Sequence, residues 1–569
     1  VPFGSTVIPE GALFFPRIDF GDGPVRARFD NNGNLVPFAD PEDRYNFQPL
    51  TYLQTGLKRT TAGALARFEM TESLEVYGEL TFTENEFQSV LAPVPIADFF
   101  ATNLDNPFLT DQVRQIAEES FLPLGPNTGG FALLRRMSDL GPRISDQERD
   151  YLRAVAGLRG SLGDTWDFDV WAIYTDGDDT ETLRNGVLAN RFAQGLFVDP
   201  VTGQCFDPSN GCVPLNVFTA QPLPAEALDF IVAQPFNNTT KREQKLISGY
   251  VSGSPFELWA GSLDLAFGLE WRSDSVDYLP DPAFEDTGVA GYSPQSPISG
   301  EEGVWEVYGE AVLPLLVDRP GARYLGLELG GRYSDYDNAG SVDTWKVGVQ
   351  WEMIDGVRFR SIFQRSVRAP NLSELFTAPI ITTSSFTAES SDDPCSASAD
   401  PVGRGFSDQC ISQGIPADQI GVYEATAGFP AVFTFGGNPN LVPEEGETFT
   451  AGFVFTLPAT PDLQFSVDYF DLEVQDTIGD VDPTFICFDP SNTENLFCEN
   501  IRRDPVTYNV VEVSAPISNR GLTRSEGIDT QVSWASDLPD WAAIGGNVAD
   551  LRVNLIWTHT LSRINQAPV

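Results

Sequence analysis

Nowhere does this chain of 569 residues hold the run of about 18 apolar residues that a bilayer-crossing helix needs. Histidine is nearly absent. His559 is the only one, which leaves histidine-based acid–base catalysis and histidine-bound catalytic zinc without their residues. There is no Walker loop, no HExxH helix and no GxSxG elbow, so three common catalytic layouts are missing. Positive charge is scarce too. Lys and Arg total 35 against 81 for Asp and Glu, a net charge of −46, and the lysines are Lys58, Lys241, Lys245 and Lys346. A nucleic-acid surface needs a local cation excess, so nucleic acid is excluded as a partner. Disorder is excluded by the 41% hydrophobic and 12% aromatic residues, which are enough to build packed structure.

Cysteine is sparse, and its spacing is informative. Cys205 and Cys212 bracket FDPSNG, Cys395 and Cys410 bracket a polar Ser/Asp/Gly stretch, and Cys487 and Cys498 bracket FDPSNTENLF. Each pair lies in a turn-rich segment between strand patterns. The spacing predicts three local disulfides that staple exposed loops in an oxidising compartment. The competing reading is metal binding by paired thiolates, but no pair has CxxC spacing. No catalytic, cofactor or metal residue is assigned. Asp30-Asn31-Asn32-Gly33-Asn34 has a faint likeness to a calcium loop, but Pro41 stands where the bidentate Glu belongs, and a hairpin turn is expected instead.

The dominant signal is alternation with a period of two. Leu74, Val76, Leu80 and Phe82 alternate with Glu75, Tyr77, Glu79 and Thr81. Leu263, Leu265, Phe267, Leu269 and Trp271 alternate with Asp264, Ala266, Gly268, Glu270 and Arg272. In the segment around FRSIFQRSVRAPN, Arg358, Arg360, Gln364 and Ser366 share one face, with Phe359 and Phe363 on the other. The connections alternate as well: tight at 71–73, 163–165 and 353–356, short at 458–462, and long over 87–148, 183–239, 369–444 and 477–519. A lipid-facing backbone must satisfy its hydrogen bonds within a closing sheet. Tight turns on one side and long loops on the other are the pattern of an outer-membrane barrel. We expect an all-β fold, a large antiparallel transmembrane β-barrel, with strands near 58–70, 73–86, 149–162, 165–177, 240–254, 261–277, 301–314, 323–336, 342–352, 357–368, 445–457, 463–476, 519–535 and 549–563. Short hairpins at Phe131 to Met137 and Tyr508 to Val513, and helical spacing over Asp105 to Phe121, are expected above the membrane. The aromatics Trp271, Trp305, Trp351, Trp534 and Trp557 are placed at the membrane interfaces.

Three landmarks resemble the TonB-dependent outer-membrane receptor family. The first is Arg368, Ala369, Pro370, Asn371, Leu372, Glu374, Leu375 and Phe376. The second is Asn438, Pro439, Asn440, Leu441, Pro443, Glu444 and Gly452. The third is Asn519, Gly521, Gly527 and Asp529. The resemblance covers essentially the whole chain, 1–569, read as one barrel domain. It implies a barrel of about 22 strands, of which about 14 are legible here, so the barrel is expected to be incomplete. The family's plug domain and its TonB-gripped box are not found in the sequence. The resemblance further implies a receptor, not an enzyme, in the outer membrane of a Gram-negative bacterium. Its implied partners are outer-membrane lipid and lipopolysaccharide, and the TonB energy-transducing complex through the missing plug. The implied cargo is a scarce, bulky nutrient: a ferric siderophore, a corrinoid or an oligosaccharide. The alternative function is a passive porin or surface-binding barrel. The motif residues themselves are read as structural: Pro370 stops a ladder because it lacks an N–H, and Asn371 suits a turn.

Overall fold

In the computed structural model, which describes residues 4–19, 24–232, 235–286, 288–290, 292, 295–385, 392–426, 430–456, 462–489, 492, 494–537 and 550–566, one 14-stranded antiparallel sheet forms the wall of an incomplete β-barrel. Its strands are β1 (Leu57–Thr71), β2 (Leu74–Leu91), β3 (Arg143–Leu162), β4 (Trp166–Arg184), β5 (Phe236–Leu258), β6 (Gly261–Leu279) and β7 (Ile298–Arg319), then β8 (Ala322–Tyr336), β9 (Gly340–Ile354), β10 (Val357–Arg368), β11 (Glu444–Thr456), β12 (Leu463–Gly479), β13 (Ser518–Asp537) and β14 (Asp550–Gln566). Each pairs with its neighbour in this order, and among the described residues no ladder joins β1 to β14. All fourteen fall where the alternation placed them. The tight turns at one end are closed by Gly163, Gly321 and Gly356, whose φ values of 70°, 76° and 79° are left-handed. Residues 458–461 of the expected turn at 458–462 lie outside the described residues.

The register separates two faces. On the apolar face, Ile247, Trp271 and Trp305 lie in one cross-strand row, and Val170, Gly249, Leu269 and Val307 in the next. These large side chains are not covered by protein: Leu269 is 63% exposed and Trp305 is 62% exposed. On β9 this face reads Trp345, Val347, Val349, Trp351 and Met353 between Asp343 and Asp355. Nine residues at ~3.4 Å each, tilted about 40°, give an apolar band roughly 23 Å tall, close to the band of known outer-membrane barrels. At its tight-turn edge, the Trp351 indole N–H donates to the Gly321 carbonyl at 2.9 Å. That bond satisfies the ring's polar end at a boundary that is apolar on one side and wet on the other.

The polar face is a ladder of opposite charges. Arg159 reaches Glu75 at 2.5 Å, Arg153 reaches Glu79 at 3.3 Å, and Lys346 reaches Glu328 at 2.7 Å and Glu310 at 3.2 Å. Arg360 forks onto Asp468 through two hydrogen bonds of 2.8 Å. The strand glycines on this face make room for rings. A Cβ on Gly157 would lie 2.1 Å from Tyr77 Cζ, and one on Gly268 would lie 2.2 Å from Tyr308 Cζ. Arg159 and Arg332 cap the same two rings at 5.2 and 4.6 Å from their centroids. Each tyrosine is thus sandwiched between a guanidinium and a glycine backbone, which holds neighbouring strands in register.

The long connections fold into bodies of their own. Thr128–Arg136 makes the expected hairpin, with Leu122–Gly125, and pairs further on its other side. It is the inner strand of a 6-stranded sheet that also takes Ala12–Asp19, Pro24–Phe29 and Pro95–Asn103. Its core joins Leu13, Phe29 and Leu133 to Phe192, Leu215 and Phe218 from the connection after β4. The helix expected over 105–121 is Asp111–Ser120. The Asp30–Asn34 stretch is the expected hairpin turn, with Asp30 Oδ1 accepting from the Asn32 and Asn34 amides at 2.9 Å.

The second body is a 4-stranded sheet. Val510–Pro516 forms the expected hairpin with Ile501–Arg503 and on its other edge pairs in parallel with Pro430–Gly436 from a different connection. Neither loop alone can cover its apolar side chains, so each borrows the other's. All three expected disulfides are present, Cys205–Cys212, Cys395–Cys410 and Cys487–Cys498, and all lie in these loop bodies.

Candidate functional site at the mouth of the wall

β10 carries Arg358, Arg360 and Arg368 on the polar face, and Arg368, at the loop end, is its last residue. Pro370, which is buried, ends the ladder. Asn371 then caps a short helix, Leu372–Phe376: its side chain accepts from the Glu374 amide at 2.9 Å, and Glu374 returns the contact to the Asn371 amide at 2.7 Å. This capping box fixes where the Glu374 carboxylate stands. Arg368 meets it at 3.0 Å and forks onto Glu444, the first residue of β11, at 2.7 and 2.8 Å. Glu444 also accepts from the Ile478 amide at 2.7 Å.

The second landmark closes on the first. The Asn438 amide donates to the Glu374 carbonyl at 2.8 Å, and its side chain donates to the Ile517 carbonyl at 3.0 Å. Gly437 has no room for a Cβ, which would lie 2.8 Å from the Glu374 carbonyl oxygen. The third landmark joins through Asn519, which accepts from the Val442 amide at 2.9 Å and donates to the Val442 carbonyl at 2.6 Å. Landmarks far apart in sequence therefore make one knot that ties β10, β11, β12 and β13 together at the mouth. Phe376 leaves the knot to cover Gly300 of β7, where an added Cβ would lie 2.1 Å from the ring.

The remaining landmark residues have separate places. Ala369 is half-buried beside Pro370, Pro439 is exposed, and Pro443 is buried. Gly527 lies outside the knot, in the wall, where a Cβ would come 2.6 Å from Phe470 Cζ and 2.7 Å from the His559 carbonyl oxygen. Sequence reasoning missed Asp468, although its place on the polar face follows from the alternation around it. It also missed the buried pair Arg503–Asp393, which has no local signal.

Electrostatics at the knot follow from the fork. Hydrogen bonding to Glu444, then to Glu374, raises the Arg368 guanidinium well above its ordinary range. Hydrogen bonding from Arg368 holds the Glu444 carboxyl below its usual value, despite burial that opposes the shift. One guanidinium serves two carboxylates here, and the Ile478 amide gives Glu444 a further donor, which joins the ends of β10, β11 and β12. Among the described residues, no cluster of three or more His, Cys, Asp or Glu is placed to hold a metal ion. A ligand rising or falling along the wall would instead meet a polar recess of about 500 Å³ below the knot, lined by Glu306, Tyr308, Arg332, Ser334, Lys346 and Gln364.

Replacing Arg368 with alanine is expected to cost about 1–3 kcal/mol locally, because two carboxylates lose a charged donor. The expected readout is faster proteolysis within 369–443 with the wall's melting unchanged. Because the folded Glu444 pKa lies below its unfolded value, its contribution is present above the unfolded pKa of about 4.3 and is lost as pH falls through the folded value. Loop protection against protease should accordingly hold from neutral pH down to about 4.3 and fade below it, and Glu444→Gln should abolish that dependence.

Comparison with known proteins follows the same lines. The model of the TonB-dependent receptor-like β-barrel matches residues 97–567. No curated protein matches the chain. Among solved structures, a ferric enterobactin receptor from Pseudomonas aeruginosa (PfeA, in complex with enterobactin) is similar at 13% identity and a TM-score of 0.48, over 98% of this chain and 64% of that one. The siderophore receptor PirA from Acinetobacter baumannii is similar at 13% identity and a TM-score of 0.47, over 98% of this chain and 63% of that one. FpvA of P. aeruginosa, solved with heterologous pyoverdines, is similar at 11% identity and a TM-score of 0.42, over 94% and 51%. The chain thus spans less than two thirds of the length of these receptors.

Proposed function

We propose a function from one premise: the chain belongs to the family of TonB-dependent receptors, whose β-barrel model it matches over residues 97–567. It is the barrel wall and loop cap of an outer-membrane receptor that takes up a scarce, bulky nutrient in a Gram-negative bacterium. Energy reaches it from the TonB complex through the family's plug domain. The cargo is a ferric siderophore, a corrinoid or an oligosaccharide. The lipid-facing band meets outer-membrane lipid and lipopolysaccharide, and the work done is transport, with no covalent change to the cargo.

The observation that carries this reading is the division of the sheet into an exposed apolar face and a charge-laddered polar face, with the described loop bodies at one end. A wall of that kind is stable only when one face meets hydrocarbon and the other a wet cavity. Three features support a receptor over an open pore. Stapled loop bodies stand over the mouth, motif landmarks are knotted there, and the polar recess beneath them has both donors and acceptors.

Expressed from its complete gene in a receptor-deletion strain, the protein is expected to restore uptake of one of the three nutrient classes, and deletion of TonB should abolish that uptake. Constitutive ion conductance in planar bilayers, with uptake independent of TonB, would contradict energy coupling and make the protein a passive porin.

A further inference from the structure

The polar face of the wall carries a line of large rings, although that face is the wet one. Trp171 of β4 and Tyr250 of β5 stand edge to face, with ring centroids 6.1 Å apart. Tyr250, Gly268, Tyr308, Arg332 and Thr344 then follow one another in a single cross-strand row from β5 to β9. Gly268 has no side chain, so the Tyr308 ring leans onto β6, the strand between it and Tyr250. The rings lead into the recess of about 500 Å³ beneath the knot. From β4 to β8 the line crosses four gaps between strands, about 19 Å in all.

The recess adds the polar half of a site. Its charges already have partners: Arg332 meets Glu306 at 3.2 Å, and Lys346 meets Glu310 at 3.2 Å and Glu328 at 2.7 Å. Its uncharged groups do not. The Gln364 amide, the Thr344 hydroxyl and the hydroxyls of Tyr308 and Tyr336 have no hydrogen-bond partner among the described residues. A multiply charged ligand would have to break an ion pair and leave a charge unpaired, which is unfavourable. A neutral ligand rich in hydroxyls meets donors and acceptors that are free. Sugar rings also present apolar C–H faces between their hydroxyls, and these match the rings of Trp171 and Tyr250. The site is long and narrow, which suits a chain of such units over a compact chelate or a broad macrocycle.

We propose that this face binds an uncharged oligosaccharide laid across β4 to β8, its sugar rings on Trp171 and Tyr250 and its hydroxyls held by Thr344 and Gln364. The proposal rests on the receptor reading above and selects one of its three cargo classes.

The test is isothermal titration of the full-length protein in detergent. The neutral probes are maltohexaose, cellohexaose and xylohexaose; the charged ones are hexagalacturonate and hexaglucosamine. At least one neutral hexasaccharide should bind, and both charged ones should bind at least tenfold more weakly than it. Thr344→Val combined with Gln364→Ala removes two side chains that hold nothing in the wall, so the fold is kept, and affinity should fall about tenfold. Tyr250→Ala should weaken binding similarly, whereas Tyr250→Phe keeps the ring and should stay within about threefold of wild type. Gln350→Ala, on the same face of β9 but nearer the tight turn, should bind as wild type. No binding by any neutral hexasaccharide, equal binding by a charged one, or wild-type affinity in the Thr344/Gln364 and Tyr250→Ala variants would each overturn the proposal. Uptake in the receptor-deletion strain separates the two readings. TonB-dependent uptake of a ferric siderophore or corrinoid, and of no hexasaccharide, would keep the receptor and overturn the sugar site. Uptake of the bound hexasaccharide that persists without TonB would keep the sugar site and overturn the receptor.

Discussion

Replacing Arg503 with alanine is expected to open the second loop body while the wall stays folded. Arg503 and Asp393 are almost wholly buried, at 2% and 1% side-chain exposure. The guanidinium forks onto Asp393 at 2.7 and 2.8 Å, donates to Gln413 Oε1 at 2.8 Å and to the Tyr508 carbonyl at 3.0 Å. The Tyr423 hydroxyl donates to Asp393 at 3.1 Å, and burial followed by the Asp393 charge pushes that phenol above its ordinary range, so it stays a donor. Alanine would leave the Asp393 carboxylate buried without its cation, at a cost of about 3–5 kcal/mol. Hydrogen exchange should rise across 392–426 and 494–517 and stay unchanged in β9 and β10. The paired change Arg503→Met with Asp393→Leu removes both charges and should recover most of the loss. If exchange in the loops matched wild type in the single variant, the pair would not be what clamps these two connections together.

Val349→Arg is expected to have the other large effect. Val349 stands at the centre of the apolar band on β9, between Leu327 and Ser361. An arginine at the midplane of a lipid-facing barrel surface costs about 2–4 kcal/mol, whereas the same change on the wet side is nearly neutral. Gln350→Arg, one residue away on the polar face, is the control. Urea titration in lipid vesicles should separate the two variants by that margin. Equal stability would mean that the two faces do not meet different solvents.

The wall was legible because its faces contrast within each strand. Where that contrast ends, the sequence reading stopped early. β4 runs from Trp166 to Arg184, beyond the expected end at 177, because Asp178, Asp179 and Glu181 stand above the apolar band, where alternation no longer separates lipid from lumen. Strand pairing continues there although the alternation has faded. β5 likewise extends to Phe236, which packs against Leu183 and Phe284 under the loops, and β7 extends to Ile298. Arg365 is the instructive detail on β10. It shares the face of Phe363, and it marks the boundary, paired with Glu445 at 2.6 Å just beyond the ring.

The knot was half legible. The landmarks named Arg368, Glu374 and Glu444, but only the fold shows that they are one another's partners. The loop bodies were the least legible part. Their cores join residues such as Leu13 and Phe218, and their buried ion pair spans 110 positions. No local period records such contacts, whereas the short-range disulfides could be read directly from spacing.

Spin-label accessibility tests the two-faced wall most directly. Every native cysteine is in a disulfide, so a single introduced cysteine takes the label cleanly. Labels at Val347 and Val349, with the protein in bilayers, should be relaxed by oxygen and shielded from a nickel chelate. Labels at Lys346 and Gln350 should show the reverse. Nickel access at all four positions, or oxygen preference at Lys346 and Gln350, would contradict a wall with lipid on one side and a wet cavity on the other.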